Sequence, residues 1–291
     1  MNRLARFLGK LPFSLDVGGR KTRLVLALGD RLVSAQRRSH FFHHNIEIRL
    51  PEHHLLRLWN YAPDNINRTY DKSPLWRFVR VHTPDKAVFI DIGANIGGYL
   101  YAAMLLDLES IGFEPNPELG PQLAAHPEMF GEVHTVALSD CEGTLPFHIS
   151  DANPGGSSLV TSNKGWEASG YDRTVEVPVT TFDAFFADRM SNWDAVHVVK
   201  IDVEGAEEAV VRGMSQSLAT GKIQAVWCEV RGPGSDRNPN SAAAVTALMA
   251  AHGYKAYHYH PLEPSEFEPF DPDQDQPQFF DLLYVHSLPE S

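Results

Sequence analysis

A doubly wound α/β fold is what this sequence predicts: a mostly parallel sheet of the seven-stranded type, an antiparallel C-terminal strand pair and a helical N-terminal cap. Three observations predict it. From Val88 onward, strand-like apolar runs alternate with helix-like segments. VFIDI (88–92) and VHVVKID (196–202) are apolar runs of the kind buried on both faces of a parallel sheet. A glycine-bearing turn, Gly93-Ala94-Asn95-Ile96-Gly97-Gly98, follows the first run and leads into a helix. The 291 residues, 43% of them hydrophobic, suffice for one large domain with an appendage. The change of pattern divides the chain into residues 1–84, the cap, and residues 85–291, the α/β domain.

In the cap, Pro51 is placed to open a short helix carrying Leu55, Leu56 and Trp59. Ser73 followed by Pro74 suits the start of a second helix that runs to Pro84. After the first strand, GGYLYAAMLLDL (97–108) suits a helix and SIGFE (110–114) a second strand. Asn116 is placed to cap a helix opened by Pro117 and ending before Pro127. EVHTVAL (132–138) reads as a third strand. TLPFHIS (144–150) and RTVEVPV (173–179) read as extra strands around a glycine-rich loop, and TFDAFFADRM (181–190) as a short helix. The strand 196–202 runs into the helix EGAEEAVVRGM, then into the strand KIQAVWCEV (222–230). SAAAVTALMAAHG (241–253) is a helix with Ser at its start and Gly at its end. YKAYHYH and FFDLLYVHS close the sheet as an antiparallel pair. The linker between them, PLEPSEFEPFDPDQDQPQ, is rich in proline and acid and is expected to stay unpacked and mobile.

The formal net charge of −12 argues against nucleic acid as a partner. A local basic set stands at the N-terminus: Arg3, Arg6, Lys10, Arg20, Lys21, Arg23, Arg31, Arg37 and Arg38. That segment lacks the long apolar run of a secretion signal or a membrane span, and a surface helix or an irregular lead-in is favoured over contact with a membrane surface. Cys141 and Cys228, at apparent strand ends, fit a reduced, cytoplasmic protein without a zinc site. The paired histidines at 43–44 and 53–54 cannot share a helix face and read as solvated or core-edge side chains. His258 and His260 would share a strand face, without a completing ligand set.

The turn at 93–98 bears on the ligand. A dinucleotide site wants G-x-G-x-x-G, the middle glycine letting a pyrophosphate approach the backbone. Here Asn95 holds that position, while Gly93 and Gly98 keep the outer spacing. Glu114, at the end of the second strand, is placed to accept hydrogen bonds from both hydroxyls of a ribose. The ligand therefore looks like an adenosine-type nucleoside without a diphosphate, and S-adenosylmethionine fits. Asp91 and Asp202 add negative charge near its sulfonium. Ala94 belongs to the same turn, Asn116 follows Glu114 closely, and Ser139 or Asp140 could meet the adenine edge. Ser158, after two glycines, could also reach the cofactor.

FIDIGANIG (89–97), GFEPNP (112–117), VALSD (136–140), GGSSL (155–159), VPVTTFDAFF (177–186), KIDVEGAE (200–207) and WCEVRG (227–232) together resemble the FkbM-family methyltransferases. The resemblance spans roughly residues 85–235 and leaves residues 1–84 unexplained. It implies a class I S-adenosylmethionine-dependent O-methyltransferase domain acting on hydroxyls of saccharides, glycolipids or secondary metabolites such as polyketides. It also implies cofactor roles for Gly93, Asn95, Gly97 and Glu114, and a place near the methyl group for Asp202 and Glu204.

Methyl transfer to an alcohol needs alignment and the removal of one proton. KIDVEG offers Lys200, Asp202 and Glu204 at a strand end. Alternation puts Lys200 and Asp202 on one side of the sheet. Asp202 is read as positioning the cofactor and Glu204 as the base or an acceptor for the substrate hydroxyl, with an ion-pair role open for Lys200 and a helix-dipole role for Glu204 and Glu207. Mg²⁺ held by Asp202, Glu204 and Glu229 is a rival mechanism, but no compact ligand motif is present and no metal is expected. Ser157 and Trp166, in the loop 151–166, are the candidate substrate contacts. An NAD-linked oxidoreductase and a catalytically silent scaffold of the same fold are the alternative functions.

Overall fold

A computed structural model describes residues 47–49, 55–57, 88–105, 108–150, 154–161, 173–190, 197–233, 235, 238, 241–258, 268–272 and 276–286. The N-terminal basic set, both histidine pairs, the helix expected after Ser73, Trp166 and His260 lie outside the described residues. Within residues 1–84, β1 (Glu47–Arg49) and β2 (Leu55–Arg57) pair antiparallel, with Ile48 opposite Leu56. Leu55 and Leu56 are thus in a strand, not in the helix expected after Pro51.

The main sheet is built from β3 (Val88–Ile92), β4 (Glu109–Phe113), β5 (Glu132–His134), β9 (His197–Ile201), β10 (Ile223–Arg231), β11 (Lys255–His258), β12 (Glu268–Pro269) and β13 (Phe279–Val285). Their order is β12-β11-β13-β10-β9-β3-β4-β5. β3 pairs parallel with both β4 and β9, and β10 pairs parallel with β9. β13 runs antiparallel to β10 and to β11, which gives the expected C-terminal pair. Strand order reverses at β3, so the carboxyl ends of β3, β4 and β9 surround the switch point where such sheets take ligands.

Helices cover both faces. On one side lie α1 (Gly98–Leu105), α2 (Gly120–Ala124) and α3 (Pro127–Phe130), whose Leu100, Tyr101, Leu123 and Phe130 pack on Phe89, Val198 and Leu283. On the other lie α4 (Phe182–Met190), α5 (Glu207–Arg212), α6 (Ser215–Ala219) and α7 (Ser241–Ala251). Their Phe186, Val210, Leu218 and Val245 pack on Ile90, Ile201 and Val226. α5 ends at Gly213, where a Cβ would run into the Ser139 carbonyl, so the helix expected over 204–214 is shortened to Glu207–Arg212, and α6 follows as a separate helix not expected from the sequence. The Asp183 carboxylate on α4 caps α6, accepting from Gln216 N (2.8 Å) and Ser217 N (2.8 Å).

Two further expectations need correction. The third strand is split: β4 ends at Phe113, opposite His134, so the chain beyond β5 has no ladder to continue. It crosses into β6 (Ala137–Leu138), which joins β8 (Arg173–Thr180) and β7 (Gly143–Ile149) in a separate three-stranded sheet. Cys141 is therefore in the exposed turn after β6, whereas Cys228 is buried inside β10. The proline- and acid-rich linker also packs in part. Glu268 and Pro269 pair with β11, Phe270 N donates to Ala256 O, and the Phe270 ring meets His258 and Phe280.

Phe186 is fully buried and meets Phe113, Phe182 and Phe185 ring to ring. Phe186→Ala is expected to cost about 3–5 kcal/mol, measured as a shift in the denaturant midpoint. A loss below about 1 kcal/mol would show that this aromatic contact is not part of the core.

Candidate functional site

The strand register arranges the site. Asp91, Lys200, Trp227 and Leu283 stand abreast on β3, β9, β10 and β13, on the face covered by α1. One row further toward the ligand edge, Glu229 faces Asp281, and Asp202 follows β9 on the same face by strand alternation. A row beyond that, Arg231 faces Phe279.

Lys200 joins the first two rows. It is buried, and its Nζ lies 3.0 Å from Asp202 Oδ2 and 3.6 Å from Asp91 Oδ1. The Tyr99 ring of α1 covers the ammonium at 4.6 Å and the Trp227 ring at 5.7 Å. Burial works against its charge, but the Asp202 and Asp91 carboxylates outweigh burial and raise its pKa. Asp91 is wholly buried. Lys200 is too distant to hydrogen-bond it, and among the described residues neither Asp91 oxygen has a donor. Desolvation, partly offset by Lys200, pushes Asp91 up to about 6.

The turn after β3 is drawn tight against its neighbours. Gly93 N and Ala94 N both donate to Phe113 O, at 2.9 and 3.0 Å. Gly93 has φ +85°, and a Cβ there would strike the Asp202 carbonyl, so only glycine fits. Asn95 follows in the left-handed region at φ +50°, where asparagine is tolerated, and its buried Oδ1 has no donor among the described residues. Gly97, at φ +81°, lies against the Phe130 ring.

Glu114 is buried where β4 ends. Its Oε2 accepts from Asn95 N (2.7 Å) and its Oε1 from Asn116 N (2.9 Å). A carboxylate oxygen takes two donors, so each keeps one lone-pair direction. Burial pushes Glu114 up to about 7 against these two hydrogen bonds. Asn116 caps the following turn as expected, its Oδ1 accepting from Glu118 N at 2.9 Å; α2 begins at Gly120, three residues later than read from Pro117.

Glu204 has φ +58°, an uncommon conformation for a non-glycine residue. Two groups hold it. Ser158 Oγ donates to Glu204 O at 2.8 Å, and Arg231 Nη2 to Glu204 Oε2 at 2.7 Å. Arg231 also reaches Glu229 Oε2 at 3.5 Å, and its guanidinium lies 4.7 Å from the centre of the Phe279 ring. That ring is 52% exposed. Asp202, Glu204 and Glu229 bring carboxylate oxygens within 4.8 Å of one another. Glu207 is buried, and its Oε1 accepts from Gly205 N at 2.8 Å, so it closes the turn.

The strand ends thus gather Asp91, Gly93, Ala94, Asn95, Gly97, Glu114, Asn116, Lys200, Asp202 and Glu204. Ser158 is beside Glu204, with its hydroxyl committed to the turn and to Val160 N. Ser157 is buried, and its Oγ accepts from Ser150 N. Ser139 N donates to Thr180 O and Ser139 Oγ to Asp140 Oδ1, placing both residues at the edge of the smaller sheet. Arg231, Phe279 and Asp281 were not among the expected site residues. Their signals were alternation in WCEVR, which puts Arg231 on the face of Glu229, and a lone acid in the otherwise apolar FFDLLYV.

Residues 91–256 match the family described as Methyltransferase FkbM domain. Methyltransferase 1 of Beauveria bassiana (strain ARSEF 2860) is 26% identical over 167 residues, which are 51% of this chain and 64% of that protein. The chain therefore spans less than two thirds of the length of the curated relative it matches. Among solved structures, magnesium protoporphyrin IX methyltransferase (ChlM) from Synechocystis PCC 6803 with bound SAM is 10% identical. That match covers 74% of this chain and 76% of that one, at a TM-score of 0.38. A TehB-like SAM-dependent methyltransferase from Corynebacterium glutamicum ATCC 13032 Kitasato is 12% identical, covering 78% and 96%, at a TM-score of 0.34. Scores this low carry nothing further about this chain.

Two outcomes follow from the geometry. Gly93→Ala is expected to destabilise the fold by about 1–3 kcal/mol or more in denaturant melts, from strain and the clash with Asp202. The second concerns pH. Burial raises Asp91 and Asp281 to about 6, Glu114 and Glu207 to about 7, and Glu229 to about 8. Each group binds its proton more tightly folded than unfolded. Their contribution to stability is complete below the unfolded carboxylate pKa of about 4 and is lost as pH rises through the folded values. The thermal midpoint is therefore expected to fall between about pH 5 and about pH 8.5; a rise across that window would contradict the burial of these acids.

Proposed function

The chain belongs to the FkbM family of methyltransferase domains, and on that premise we propose that it transfers a methyl group from S-adenosylmethionine to a hydroxyl oxygen of a saccharide, glycolipid or secondary metabolite. The observation that carries the reading is Glu114. It lies beside the bend at Asn95, with one acceptor direction left on each carboxylate oxygen for a ribose diol. The residues present fit the cofactor on a second count: Asp91 and Asn95 keep buried oxygens with no donor among the described residues, at the edge where a nucleoside with an amino-acid tail would lie.

When bound, S-adenosylmethionine supplies a methyl carbon already activated by a sulfonium leaving group, so the chain has to align an acceptor oxygen and take one proton. Glu114 holds the ribose, and the Asn95 side chain occupies the position where a dinucleotide site needs glycine. Lys200 fixes the Asp202 carboxylate toward the ligand edge. Glu204, carried by its left-handed turn and aimed by Ser158 and Arg231, is the group that takes the proton from the acceptor hydroxyl. The exposed Phe279 ring offers a flat apolar contact next to these carboxylates.

Calorimetry with S-adenosylmethionine and with NAD tests the cofactor, and a mass screen with labelled methyl donor tests the acceptor. Glu114→Ala is expected to weaken cofactor binding by about 1.5–3 kcal/mol, the range for hydrogen bonds to a charged group. Unchanged affinity in the folded variant would remove the ribose assignment. Asp202→Ala is expected to keep the fold and abolish turnover, and normal turnover would require a different site. Tight binding of NAD alone would favour the oxidoreductase reading instead.

A further inference from the structure

Acids outnumber bases at the ligand edge. Asp91, Asp202, Glu229 and Asp281 follow one another across β3, β9, β10 and β13 on one face, and Glu204 joins them from the turn after β9. Among the described residues, Lys200 and Arg231 are the cations paired with this set. An acidic wall does not by itself specify a ligand, but Asp91 gives a separate indication. It is wholly buried, and neither of its oxygens receives a hydrogen bond from the described residues. A buried carboxylate left in that state is costly, and a cationic or donor group arriving at the strand ends relieves it.

Resting on the reading that S-adenosylmethionine is the cofactor, we propose that Glu229 and Asp281 are specificity residues that favour the sulfonium cation of the cofactor over the uncharged thioether of its demethylated product. The two ligands share their adenosine, amino and carboxylate groups and differ at sulfur by one methyl group and one positive charge. A negative wall therefore acts on the difference between them. The wall is continuous with the turn: Gly93 abuts the Asp202 backbone, the Asp202 carboxylate lies within 4.8 Å of Glu204 and Glu229, and Asp281 is the register partner of Glu229.

The charge of the wall depends on pH. Glu229 is faced by Asp202 and Glu204 from the turn, by Arg231 on its own strand and by Asp281 from β13. Burial, then the neighbouring carboxylates, push it up to about 8 against the opposing Arg231. Asp281, faced by Asp202, Lys200 and the Trp227 indole, is pushed up to about 6, chiefly by burial. The wall therefore gains negative charge as pH rises through this range, and the preference for the cation grows with it.

Calorimetric titration of the full chain with S-adenosylmethionine and with S-adenosylhomocysteine tests this at about pH 6 and about pH 8.5, on either side of the Glu229 transition. At the higher pH the sulfonium ligand is expected to bind at least about tenfold more tightly than the thioether, a ratio that one unit-charge attraction at an effective dielectric of about 20 reaches even at about 12 Å. The ratio is expected to fall severalfold at the lower pH, and likewise in Glu229→Gln and Asp281→Asn, in which thioether affinity at a given pH changes little. Equal affinities for the two ligands at both pH values, or a ratio untouched by both substitutions, would overturn the proposal. If neither variant folds, the wild-type pH comparison decides alone. Binding of neither ligand would overturn the cofactor reading itself, an outcome distinct from equal binding of both.

Discussion

One buried ammonium organises the ligand edge of this domain. Lys200 lies between Asp91 and Asp202 and beneath the rings of Tyr99 and Trp227, so it touches β3, β10, α1 and the turn after β9 at once. Desolvating so many charges is expensive, and removing one partner of such a pair leaves an uncompensated charge that costs several kcal/mol. The arrangement is therefore poor as a device for stability alone. What it achieves is placement: a carboxylate held in a fixed direction at the strand ends, where sheets of this kind take ligands.

The second constraint is conformational. Glu204 occupies a backbone region that non-glycine residues seldom use, and such strain persists only where surrounding contacts determine it. Ser158 supplies one contact across a sequence separation of 46 residues, and Arg231 supplies another from β10. Ser158 also bridges to His148 on β7, so the smaller sheet braces the turn of the larger one. The GGSSL and KIDVEG motifs, far apart in the chain, are two halves of one support.

Much of this was legible in the sequence. Continuous apolar runs identified the buried strands, and the spacing from Gly93 to Glu114 located the turn and the acid that its backbone contacts. The failures have physical causes. EVHTVAL has uniform strand character, and only the end of its neighbour at Phe113 makes it change sheets at His134. The helix after KIDVEG stops near where its pattern ends, but α6 beyond it was not legible, because it is capped by Asp183 from a distant segment, which no local pattern announces. PLEPSEFEPFDPDQDQPQ has the composition of an unpacked linker, yet its Phe270 packs against the His258 and Phe280 rings. Arg231 and Asp281 were hidden for another reason: their importance depends on register between strands some fifty residues apart in sequence.

The two borders of the large sheet share a property with consequences beyond the site. At one border Pro269 has no N–H to offer, and β12 is only two residues long. At the other, β5 is three residues long and its Glu132 is clamped by Arg189 and His134. Among the described residues, a foreign strand seeking a template therefore meets few free donors at either margin. A sheet this apolar would otherwise invite edge-to-edge growth into fibrils, and the short, proline-tipped and charge-clamped margins oppose it.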